Sequence, residues 1–178
     1  TGSALVIGDA SDGETSDIVR YLSNFDLSVT PVITVNRTGR LEFGAFTDDI
    51  GSLNLVGGTV QSTTGVIQLR GSVTARADSV GLTAVPSVIA GLLDLGVNQR
   101  TFTVTDDFFL AGVPLDLDVT ASISGTGGIT KNGSGEMRFG SSNSFEGVVT
   151  INAGVLLMAS DEALGTVLNG VVLNSSGA

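Results

Sequence analysis

The stretch that most constrains this chain is 125–165, GTGGITKNGSGEMRFGSSNSFEGVVTINAGVLLMASDEALG. It holds three short alternating runs, Met137-x-Phe139, Val149-x-Ile151 and Val155-x-Leu157, separated by Gly, Asn and Ser. Alternation sets one row of side chains on one face of a strand, and the Gly/Asn/Ser clusters turn the chain. No run is long enough for a crossover helix. Strand, corner, strand, corner describes a coil wound repeatedly around one apolar interior.

The same segment resembles the autotransporter-associated β-strand repeat. The matching residues are Gly125, Gly127, Gly128, Ile129, Thr130, Lys131, Gly133, Gly135, Met137 and Phe139, then Asn143, Phe145, Gly147, Thr150, Ile151, Asn152, Gly154 and Leu156. Ala163, Leu164 and Gly165 close the pattern, and Met137, Phe139 and Phe145 are mild departures from it. Weaker companions lie at Ile50–Gly58 and Arg100–Val104. The resemblance implies a right-handed parallel β-helix in long secreted or cell-surface bacterial proteins. It implies no catalytic residues, because the motif is architectural.

The rhythm extends beyond the motif. Ile33-x-Val35, Leu41-x-Phe43, Leu53-x-Leu55, Ile67-x-Leu69, Val73-x-Ala75, Leu93-x-Leu95, Phe102-x-Val104 and Leu115-x-Leu117-x-Val119 read as strands. Asp78 to Pro86 reads as a longer corner, and Pro86 interrupts any central strand. One rung per roughly 18 to 24 residues gives about eight rungs. At ~4.8 Å per rung these form a rod of order 40 Å. Residues 10–25 stand apart. Ile18, Leu22 and Phe25 have helical spacing behind Thr15 or Ser16 as a cap, so a short side helix is expected there, with an ordered loop as the alternative.

The length suits a single module, 1–178, and 42% hydrophobic residues supply a core. Eighteen acidic residues against eight basic ones leave a net charge of −10, which opposes nucleic-acid phosphates and anionic membranes. Without Cys or His the chain has no thiol nucleophile, disulfide, imidazole base or Cys/His zinc site. No apolar run approaches a membrane span, so no membrane insertion by this segment is expected.

Four candidate chemistries compete with an architectural role. Asp48-Asp49, Asp106-Asp107, and Asp9, Asp12, Glu14 and Asp17 are hard-oxygen clusters that could hold Ca²⁺, but none has EF-hand or calcium-roll spacing. Asp116, Asp118 and Arg100 could be cast as a polysaccharide-cleaving set. The simpler expectation makes Asp116 and Asp118 the solvent face of a strand whose inner face is Leu115, Leu117 and Val119. Asn36-Arg-Thr38 and Asn174-Ser-Ser176 formally permit glycosylation, while Asn and Ser in a β-helix also form corner ladders. Gly57-Gly58 and Gly127-Gly128 lack the following helix of a phosphate loop and read as tight corners.

The expectation is therefore a structural, extracellular or cell-surface protein that takes no cofactor and whose partners are other copies of itself. Reading from Val171, Val172 and Leu173 across to Leu5, Val6 and Ile7 repeats the interior grammar of strand, turn, strand. These end strands are the expected assembly interface, in a tandem array or a stack of copies. Ile18, Leu22 and Phe25 are the expected lateral contact. An adhesin that binds a surface ligand is the alternative, and a polysaccharide-active enzyme the remote one.

Overall fold

The alternating runs become strands of two sheets, seen in a computed structural model that describes residues 4–9, 17–24, 31–80, 83–106, 115–166 and 170–174. The first sheet runs Leu5–Ile7, Ile33–Asn36, Leu53–Val56, Val73–Arg76, Arg100–Val104, Ile129–Asn132, Val149–Ile151 and Val171–Leu173. The second runs Asp17–Arg20, Gly39–Gly44, Thr59–Leu69, Ser87–Asp94, Leu115–Val119, Glu136–Phe139 and Val155–Met158. Every neighbouring pair within these two series is parallel. The chain visits the two sheets in strict turn, and the described residues contain no helix. This all-β architecture is consistent with a solenoid.

The register gives the period. Leu53 lies beside Ile33 and Val73 beside Leu53, twenty positions apart each time, as are Ile129 and Val149. Val73 to Phe102 takes 29 positions, and part of the excess is an antiparallel hairpin of Asp78–Val80 with Thr83–Val85. Sequence alone read that hairpin as a corner. Pro86 follows it, where a missing N–H breaks no ladder. Insertions of this kind lengthen a corner without moving the strands on either side.

Two long strands also bend to serve a third line of pairing. Thr59–Leu69 and Ser87–Asp94 shift register around Ala90 and Leu92, with Gly91 between them at φ +95°. Beyond the bend they pair with Asp48–Ile50 and Ser122–Ser124. The line continues through Ser144 N–H to Ile123 O at 2.8 Å and Thr166 N–H to Phe145 O at 3.2 Å.

In-facing residues of all three lines form one apolar cluster. Leu53, Val73 and Phe102 stand in register within it, as do Leu117, Met137 and Leu156. Each large aliphatic or aromatic side chain so buried contributes about 1.5–3 kcal/mol.

Three expectations are corrected here. The side helix is replaced, over Asp17–Arg20, by a strand paired with Gly39–Glu42. Ile18 and Leu22 are exposed, while Val19 packs on the core and Tyr21 is buried against Phe43, ring centroids 4.3 Å apart. Phe25, Thr15 and Ser16 lie outside the described residues. In the Val155–Met158 strand the inner phase belongs to Leu156, which pairs with Met137, and not to Val155 and Leu157, which are exposed. Asp116 and Asp118 are covered rather than open to solvent, Asp118 on the outer face beneath Arg138, whereas Leu115 is only partly covered.

Candidate assembly interface

Each sheet ends in strands paired, among the described residues, on one side only. At one end Val171–Leu173 lies on Val149–Ile151 and Val155–Met158 on Glu136–Phe139. Leu173 is 73% and Met158 59% exposed, for apolar side chains that elsewhere in these columns are covered. At the other end Leu5–Ile7 pairs with Ile33–Val35 and Asp17–Arg20 with Gly39–Glu42. Ile7 is buried, Leu5 packs on the core, and Val6 points out to solvent. The structure thus brings the expected set Leu5, Val6, Ile7 together with Ile18 at one end. It adds Val155–Met158 to Val171, Val172 and Leu173 at the other. Sequence missed that addition because nothing local told an edge strand from an interior one. Ile18 and Leu22 are exposed at the edge of the second sheet. Of the expected lateral contact, Ile18 faces away from the core on that edge strand, and Phe25 is outside the described residues.

Polar side chains tie successive passages together. Asn143 is buried, accepts from Ile123 N–H at 2.8 Å and donates to Ala163 O at 2.6 Å, so one carboxamide bridges the chain on either side of it. Asn152 donates to Asn132 at 2.7 Å and Asn174 to Asn152 at 2.6 Å, an amide ladder along one corner. Such ladders satisfy donor and acceptor along the stacking direction. The ladder reading of Asn174 agrees with these contacts.

The chain's single lysine lies inside. Lys131 occupies an in-facing position between Phe102 and Ile151. Its side chain is fully buried, and its Nζ donates to Gly133 O and Ala153 O at 3.0 Å each. Burial holds its pKa below the usual value, and the charge of Asp116 opposes that shift. Burial raises the Asp116 carboxyl, while the backbone N–H groups of Glu136, at 2.9 Å, and Ala77 lower it in part.

Several other acidic residues are likewise occupied. Asp118 pairs with Arg138. Arg70 joins Asp49 at 2.6 Å and Asp94 at 3.3 Å. Thr38 donates to Asp17 at 3.0 Å and also meets Asp9, so those two carboxylates do converge, while Asp12, Glu14 and Asp107 lie outside the described residues. Among the described residues no group of three or more acidic side chains is arranged to hold a metal ion. Arg100 is buried and donates to Leu95 O and Arg70 O rather than meeting Asp116 or Asp118; burial and the Arg70 charge lower its pKa, against Asp94. A shallow depression lined by Asn143, Ser144, Glu162, Gly165 and Thr166 offers one carboxylate and no basic residue. No protein family, curated protein or solved structure matches the chain.

Proposed function

We propose that the chain is a structural module that coils as a right-handed parallel β-helix of about eight rungs and works by continuing its sheets into further copies of itself. The observation that carries this reading is the pair of sheet ends: among the described residues the last strands of both sheets are paired on one side only, with Val6 and Ile18 exposed at one end and Val155, Met158, Val171 and Leu173 at the other. Unpaired strand edges template further pairing. A parallel strand added to Val171–Leu173 would cover Leu173 and Val171 and extend the Asn132–Asn152–Asn174 ladder. The resemblance of 125–165 to the autotransporter-associated repeat points the same way, to an extracellular or cell-surface filament or matrix. The mechanism is mechanical, resting on continuous backbone pairing and a stacked apolar interior.

The proposal assigns no catalysis and no cofactor. An adhesin remains the alternative reading, but among the described residues Tyr21, Phe43, Phe102, Phe139 and Phe145 are buried and Phe46 is partly buried against the core, so these rings form no open platform for a ligand. Electron microscopy and light scattering of the intact protein test the proposal, with deletion of Val171–Leu173 as the key variant. Filaments or oligomers that vanish on deletion, with circular dichroism unchanged, are expected. A species of one chain's mass at every concentration would sink it.

A further inference from the structure

The outward faces of the two sheets differ in charge. On the second sheet Arg20 and Arg40 both engage Glu42, at 2.6 and 2.7 Å, and Arg138 engages Asp118. On the first, the register aligns Thr74, Thr103 and Asn132 in one outward row. Thr101, Thr130 and Thr150 form the adjacent row. The strands of this sheet contain three charged residues, of which Arg100 and Lys131 are buried, leaving Arg76 alone to face outward. For a chain of net charge −10, a sheet face of mainly Thr and Asn, with Val6, Val56 and Val172 among them and one charge at its margin, is an exception.

We propose that this face packs against the same face of a second copy, sheet on sheet. The physical case has three parts. Like-charged molecules associate most readily where neither surface carries charge, because contact there desolvates no ion. Rows repeating at about 4.8 Å along the stack and about 6.6 Å along a strand let Thr methyls of one face sit between those of another, at about 10 Å between sheets. In-register polar rows of this type form dry zippers between paired sheets. Eight strands by two rows cover roughly 400 Å² per copy, about 800 Å² in all, short of the ~1,200 Å² of a stable complex. The contact is therefore weak between single copies. It becomes strong where copies are already linked in a row, since repeated contacts multiply. Only that multiplication rests on the stacking reading above.

The absence of native cysteine allows a direct test. Thr103→Cys, central in the face and nearly the size of the residue it replaces, and Arg138→Cys, on the opposite outer face, are oxidised separately at high protein concentration. The same pair is then placed in the Val171–Leu173 deletion, which removes the proposed stacking strand. Expected are disulfide-linked dimers forming several-fold faster for Thr103→Cys than for Arg138→Cys in both backgrounds. In sedimentation velocity, Thr103→Asp should abolish the concentration-dependent shift that the unmodified face shows. Equal crosslinking rates at the two positions would mean random collision and overturn the proposal. Association lost on deletion but indifferent to Thr103→Asp would belong to the ends and overturn it too, leaving the stacking reading intact. Adsorption to ice or an insoluble glycan without self-association would assign the face to another partner and likewise overturn it.

Discussion

At the scale of single residues, the interior of this chain is defined by how it handles charge. Lys131 spends its stem as core and its ammonium as a donor to the corners around Gly133 and Ala153. Lys131→Ala removes both and should cost about 3 kcal/mol by chemical denaturation. Lys131→Met keeps the stem and removes a buried cation, so its loss should be distinctly smaller. The two buried ionisable groups also predict opposite pH slopes. The folded pKa of Lys131 is depressed, so the unfolded chain holds that proton more tightly, and stability rises as pH climbs through the folded value toward the ordinary 10.5. Lys131→Met should lack this rise. The folded pKa of Asp116 is elevated, so the folded state holds more protons, and stability rises as pH falls through the folded value toward 3.8. Thermal melts of Asp116→Asn between pH 7 and 4 should show that gain missing; an identical pH profile would refute its assignment to Asp116.

At the scale of elements, corners rather than strands set the tolerance. A Cβ on Gly128 would run into the Val148 carbonyl oxygen and the Gln99 side chain, where two corners touch, whereas one on Gly170 would meet nothing. Gly128→Ala should lower stability by about 2–3 kcal/mol and Gly170→Ala by less than about 0.5 kcal/mol, measured by urea unfolding. The strands themselves were largely legible. Leu53-x-Leu55, Phe102-x-Val104 and Met137-x-Phe139 alternate with polar residues, and that contrast fixes which side faces in. Val155–Met158 has no polar member, so its phase comes only from pairing with Glu136–Phe139. Ile18 and Leu22 fit a helical spacing, yet Val19 and Tyr21 fit a strand equally well, and pairing with Gly39–Glu42 decides between them. That Asp116 and Asp118 are covered is hidden from the sequence for a related reason. Their partners, Glu136 and Arg138, lie twenty positions away, a distance no local pattern reports. The proposed interface was half visible: its end strands were evident as strands, but which edge of the second sheet accompanied them was not.

At the scale of the molecule, the proposed stacking would have to overcome a net charge of −10 on each copy. Added salt screens that repulsion, with a Debye length near 10 Å at 0.1 M. End-to-end assembly is therefore expected to increase between about 10 and 150 mM salt, as read by light scattering. The reverse trend would show that ion pairs, not apolar edges, hold the junction.

Because the one lysine is enclosed, the folded protein shows no side-chain amine to aldehyde fixatives, activated esters or proteases that cut after lysine. Any such modification of Lys131 would register opening of the fold, giving the chain a built-in chemical clock for its own unravelling.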